Sequence, residues 1–167
     1  CATDALPEAA TQIPYGLPTE PLPGPETLGF RIPLYGFKTW ADLFTPRQLL
    51  AVATLAKWTR SASSEVRQLG YPDNWTEALS AYLAVLTDKI ADRSSGQCIW
   101  IATSAEKASG TFGRFALPIT WDFVEVFPWS DSAGGGPGTL NHIVECVESA
   151  LEARGESTAP EVLLQSA

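Results

Sequence analysis

The sequence predicts a mainly α-helical chain, and three observations carry that expectation. Two capped stretches of helical periodicity occupy the middle, a third apolar stripe follows a glycine-rich loop, and a proline-crowded start carries neither a helix nor a strand pattern. At 167 residues the chain has the length of one domain. Its 45% hydrophobic and 18% charged residues, with no apolar run near the ~18 that span a bilayer, exclude a wholly disordered or transmembrane chain and read as soluble. It starts at Cys1, contains no Met, and lacks the basic-then-apolar layout of a leader. The expectation is an internal piece of a longer polypeptide.

Seven of the thirteen prolines stand at positions 7, 14, 18, 21, 23, 25 and 33. Proline donates no backbone hydrogen bond and breaks helix interiors, so residues 1–36 read as an extended arm. Ile13, Tyr15, Leu17, Leu22, Leu28 and Phe30 favour a strap laid over a core rather than a free linker. Residues 37–157 read as the helical subdomain. Its first helix starts at Thr45-Pro46-Arg47-Gln48, where a hydroxyl caps, proline fills the first turn and Gln reaches back. Leu49, Val52, Ala53 and Ala56 continue it to about Leu69, with Gly70 as its stop. Leu50 and Trp58 widen its apolar face. A second helix has Asn74 as N-cap and Glu77 three residues on, with Trp75, Leu79, Tyr82, Leu86 and Ile90 in one stripe to about Asp92. The short link predicts an antiparallel hairpin.

Gln97 to Ile101 is β-inclined, and Ser109 to Gly113 reads as a loop. Pro118 opens a short helix through Trp121, Asp122 and Phe123, or Trp121 to Val126 forms a strand; the pattern fits both. Ser130 to Gly138 reads as a flexible connection without the sequence context of a phosphate cradle. A last helix runs from Thr139 to Arg154, with Leu140, Ile143, Val144, Val147 and Leu151 on one side and Gly155 as C-cap. Residues 158–167 contain a strand, Glu161 to Gln165, whose sheet would continue elsewhere.

The net charge of −8 is uneven: residues 1–30 hold four acids and no base, residues 31–114 ten bases and seven acids, and residues 115–167 eight acids and one base. Phosphate-binding surfaces need clustered Lys and Arg, so only the central segment offers one, and a solvated helix face explains the same charges. Three scattered cysteines and the single His142 form no metal-ligand spacing and suit a reducing cytosol. A nucleophilic pair of Cys98 or Cys146 with His142 competes with plain burial of the thiols.

Several strings go further than composition. Leu17-Pro18-Thr19-Glu20-Pro21-Leu22-Pro23, Gly29-Phe30-Arg31, Tyr35-Gly36-Phe37 and the run from Thr39-Trp40-Ala41-Asp42-Leu43-Phe44-Thr45-Pro46-Arg47-Gln48 to Ala51 come first. Asp88-Lys89-Ile90-Ala91-Asp92-Arg93-Ser94-Ser95, Thr111-Phe112-Gly113-Arg114-Phe115-Ala116-Leu117-Pro118 and Trp121-Asp122-Phe123-Val124-Glu125 follow. In this order they resemble the zinc-ribbon-containing adenine-specific DNA methyltransferases, from about residue 13 onward. The resemblance implies a helical subdomain of an α/β methyltransferase that binds S-adenosylmethionine. In such an enzyme the target adenine is turned out of the duplex and its amine attacks the methyl sulfonium.

The resemblance also implies parts this sequence lacks: the Asp/Asn-Pro-Pro-aromatic catalytic turn, the Gly-rich cofactor loop and the zinc-ribbon cysteines. The expected fragment therefore holds no catalytic residue and binds no cofactor alone. Its partners are the remainder of the polypeptide, with S-adenosylmethionine and double-stranded DNA engaged by the complete enzyme in the cytoplasm. Phe127-Pro128-Trp129 stands where the family order leads us to expect Asn-Pro-Phe. Arg114, beside Gly113 and between Phe112 and Phe115, is the leading candidate for a DNA or ligand contact, since a guanidinium among aromatics suits phosphate or base stacking. Trp121, Asp122 and Phe123 are candidate pocket-lining residues, with core packing as the alternative. Arg47 is a candidate phosphate contact or a solvated first-turn side chain, and Asp92-Arg93 a surface ion pair or cap. A non-enzymatic helical scaffold is the rival from a different class.

Overall fold

In the computed structural model, which describes residues 1–13, 16–103, 106–114, 116–117, 119–132 and 134–154, four α-helices dominate: α1 (Ala2–Thr11), α2 (Pro46–Gln68), α3 (Asp73–Arg93) and α4 (Gly136–Arg154). The expected capping box starts α2. The Gln48 amide N–H donates to Thr45 Oγ1 at 3.4 Å, and the Thr45 N–H donates to Gln48 Oε1 at 2.8 Å. The helix ends at the Leu69 cap, and Gly70 follows at φ +83°. The hairpin is antiparallel, because Ser63 meets Ser80, hydroxyl to hydroxyl at 2.7 Å, while Leu55 clusters with Leu86. One core lies here: Leu55, Leu86 and Ile90, flanked by Leu83 and Ile143 of α4.

The second core belongs to the arm and the residues that follow it. Leu22, Ile32, Leu43 and Leu117 are buried, with Phe30, Phe37, Trp40, Phe44 and Ile119 packed around them. The Leu22 N–H donates to Lys38 O at 2.8 Å and the Trp40 N–H to Glu20 O at 3.1 Å, so the strap is pinned on both sides of Pro21. Two 3₁₀ turns, Ile32–Tyr35 and Trp40–Leu43, complete it. Gly29, at φ +86°, lets the strap cross the Leu117 segment, where a Cβ would sit 2.4 Å from Ala116 Cβ.

Several expectations are corrected. Residues 1–36 are not one extended arm: Ala2–Thr11 is helical despite Pro7, because the loss of a single N–H is outweighed by good helix formers and by packing of α1 on α2. Asn74 does not cap α3. The helix starts at Asp73 after Pro72, and Asn74 Oδ1 accepts from the next residue's N–H. Only Trp100–Ile101 (β1) of the β-inclined segment pairs, antiparallel with Lys107–Ala108 (β2). Residues 119–127 are neither helix nor strand; the Val124 N–H donates to Cys98 O at 3.0 Å. Gly136 to Gly138 join α4 instead of the loop, with the Gly136 N–H bonded to Pro128 O. Pro118, the Gly155 cap and the strand at 161–165 lie outside the described residues.

The expected apolar stripes are only half covered. On α3, Leu86 and Ile90 are buried, while Trp75 is 65% exposed and Leu79 and Tyr82 also face out. On α4, Leu140, Val144 and Leu151 are exposed. The accessible surface totals 11480 Å². No helix among the described residues is long and apolar enough to cross a membrane.

Candidate functional site

The last turn of α3 organises the site. Its Asp92 carbonyl accepts from the Thr111 N–H at 2.8 Å and from the Thr111 hydroxyl at 2.7 Å. The Asp92 carboxylate accepts from the Phe112 N–H at 2.7 Å. Gly110 permits this approach, since a Cβ there would stand 2.2 Å from Asp92 Oδ2. Beneath lies a sealed polar knot in which Ser95 and Cys98 have no exposed surface. Ser95 Oγ meets Thr111 Oγ1 at 2.7 Å and accepts from the Gln97 N–H at 2.9 Å, and Cys98 Sγ lies 3.5 Å from both Thr111 Oγ1 and Asp92 O. Ser109 and Ile99 bond reciprocally, at 2.9 and 3.1 Å, and so align β1 with β2. Buried hydrogen bonds of this kind fix geometry, because breaking one strands its partner.

This scaffold frames a cleft of about 600 Å³. Gly113 and Arg114 line it with Arg93 and Lys107, three cations against the one carboxylate of Asp92. Among the described residues none of the three cations has an ion-pair partner. Ile99, Ile101 and Leu117 supply apolar wall. Gln97 also lines it, 7% exposed, and neither its amide oxygen nor its amide nitrogen finds a hydrogen-bond partner among the described residues.

The other sequence candidates lie elsewhere. Phe112 gives its N–H to Asp92 and leans its ring on Trp40 at 6.4 Å, half exposed. Trp121 is 80% exposed, edge-on to Tyr35 at 5.4 Å, Asp122 is exposed, and Phe123 is half-buried. None of these three lines the cleft. Arg47 sits at a separate cleft of about 440 Å³ with Gln48, Ser94 and the Phe127-Pro128-Trp129 turn. Its guanidinium is clamped on Glu125, with Nε 2.7 and 2.8 Å from the two carboxylate oxygens. That hydrogen bond and charge hold the Arg47 pKa above its ordinary value and compete with any phosphate contact.

A third cleft, about 770 Å³ and mostly apolar, runs between α3 and α4. Cys146 Sγ there lies 3.8 Å from His142 Nε2, whose Nδ1 is 3.8 Å from Glu145 on the exposed face of one helix. Cys98, by contrast, is buried in the knot and does not meet His142. Among the described residues no His, Cys, Asp or Glu cluster is arranged to hold a metal.

Sequence reasoning missed Asp92 as the anchor of the Thr111–Arg114 loop, and missed Gln97 and Lys107 entirely. The strings singled out in the sequence do meet: Gly29 touches Ala116, Trp40 faces Phe112, Asp92 binds Thr111 and Phe112, and Arg47 holds Glu125. No protein-family model, no curated protein and no solved structure matches the chain.

Proposed function

We propose that the chain is a helical subdomain of an N6-adenine-specific DNA methyltransferase, in which the remainder of the polypeptide holds S-adenosylmethionine and performs methyl transfer. The observation that carries the reading is the convergence of the quoted strings. Segments scattered from Gly29 to Glu125 come together on one scaffold, and the cleft beside it gathers Arg93, Lys107 and Arg114 in a chain of net charge −8. A cationic cleft in an otherwise acidic chain suits the phosphates of a nucleic-acid strand. The half-covered stripes of α3 and α4 suit a subdomain that docks on a neighbouring sheet.

The described residues do not fit the cofactor. The only glycine-rich run, Gly134 to Gly138, is closed by its own chain: a Cβ at Gly135 would lie 1.9 Å from Ser130 O and one at Gly136 3.0 Å from Pro128 O. These glycines serve close backbone approach at the start of α4. The residues' own role in the reading is to position a strand: Asp92 and the Ser95–Thr111 knot hold the loop, and Arg114 reaches phosphate as a planar donor.

The test uses the full-length polypeptide that carries this segment, given labelled S-adenosylmethionine and double-stranded DNA. The expected result is label on adenine N6. Arg114→Ala is expected to weaken DNA binding about 10-fold and to lower the salt slope by about one unit. Absence of methyl transfer, with DNA binding indifferent to Arg114, would contradict the reading and return the non-enzymatic scaffold.

A further inference from the structure

The sequence offers two thiols as partners for its single histidine, and the fold selects one. Cys98 is sealed in the polar knot, whereas Cys146 is exposed, with Sγ 3.8 Å from His142 Nε2. The two residues stand one turn apart on α4, and a Glu145 carboxylate oxygen lies 3.8 Å from the other ring nitrogen, Nδ1. A thiol touching an imidazole that is backed by a carboxylate has the order of nucleophile, base and orienting acid. The imidazole is placed to take the thiol proton, and the carboxylate favours the imidazolium that results.

A second observation points to the substrate. Cys146 and His142 both line the cleft of about 770 Å³ between α3 and α4, with Tyr82 and Val85 on one wall and Ile143, Val147 and Ala150 on the other. That volume falls within the ~300–1,000 Å³ of small-ligand sites. A flexible hydrocarbon chain buries methylenes against such walls and asks for no hydrogen-bond partner.

We infer that Cys146 is an acylation site, which accepts a fatty acyl group from an acyl thioester and lays the chain in the α3–α4 cleft. Cys146 Sγ attacks the thioester carbonyl carbon as His142 Nε2 takes the thiol proton. The bond to the departing sulfur then breaks, and the imidazolium returns the proton to that thiolate. One thioester replaces another, so no oxidant or reductant is needed. None of these residues lines the Arg114 cleft, and the inference stands whether or not the parent polypeptide transfers a methyl group.

The experiment incubates the 167-residue chain with octanoyl-coenzyme A, or with acetyl-coenzyme A, which offers the same thioester with almost no chain, and maps the acyl group by peptide mass. Cys146 is expected to take octanoyl about 10-fold faster than it takes acetyl, because the cleft holds the longer chain. It is also expected to take octanoyl about 10-fold faster than Cys1, the other exposed thiol, does. These two comparisons need no variant. The His142 side chain is 76% exposed, so His142→Asn keeps the fold, seen as unchanged circular dichroism, and is expected to slow octanoyl transfer to Cys146 by about 10-fold or more. Val85→Gln, on the exposed part of the α3 wall, is expected to shrink the preference for octanoyl over acetyl. Equal rates at Cys146 with the two donors would overturn the acyl-chain cleft. Equal rates at Cys1 and Cys146, or a His142→Asn chain that reacts as fast as wild type, would overturn the nucleophile–base pair and the site with it.

Discussion

Gly29 and Asp42 show how single residues fix the strap. At Gly29 a methyl group would meet Ala116 at 2.4 Å on a backbone already at φ +86°. Gly29→Ala therefore combines left-handed strain with overpacking and is expected to cost about 2–4 kcal/mol in urea unfolding. Asp42 accepts from the Lys38 and Thr39 N–H groups at 2.7 and 2.8 Å, and the Thr39 and then Lys38 backbone bonds lower its pKa below 3.8. With the folded pKa depressed, its stabilisation is complete above about pH 4 and is lost as pH falls through the folded value. The stability gap between wild type and Asp42→Asn is thus expected to be flat at neutral pH and to close under acid, as urea unfolding across pH 2–7 would record. Asp92 matters differently: Asp92→Ala frees the Phe112 N–H and is expected to cost about 1.5–3 kcal/mol and to loosen the Arg114 loop, visible as faster amide exchange at Thr111 to Gly113. None of these contacts was legible in the sequence. Asp92 and Thr111 are nineteen residues apart with no period to link them, and the burial of Gln97 is a property of the folded cleft alone.

Among the elements, legibility tracked how local the chemistry is. The start of α2 was readable because Thr45 and Gln48 satisfy each other within one turn, and its stop because Gly70 supplies a left-handed residue. Thr45→Ala is expected to lower stability by about 1 kcal/mol, measured as a shift in urea midpoint at unchanged m-value. Helix α1 was hidden because Pro7 belongs to the same proline-crowded stretch as the prolines beyond position 13, although the ten residues around it are rich in Ala. The early start of α4 was hidden because Gly136 and Gly138 read as loop, whereas their role is to let the chain pass close to Pro128 and Asp131. A strand at residues 121–126 fitted almost as well as a short helix through Phe123, and tertiary contact settled on neither, holding the segment by Val124 to Cys98 and by Arg47 to Glu125.

At the scale of the whole molecule, the sequence's apolar stripes on α3 and α4 exceed what the fold covers. Trp58, Trp75, Leu79, Tyr82, Val144 and Leu151 face outward, and two modest cores serve a surface of 11480 Å². Large apolar side chains exposed together on α3 and α4 mark a docking face or an association hazard. The helical class was legible because periodicity is local to each helix, but the coverage of the stripes was not, since which apolar residues are buried is set by how the helices pack. Sedimentation combined with urea unfolding of the purified chain tests this most directly. Concentration-dependent self-association, with a urea midpoint that rises with chain concentration, is the expected result. A chain that stays monomeric at every concentration, with a midpoint independent of concentration, would contradict it.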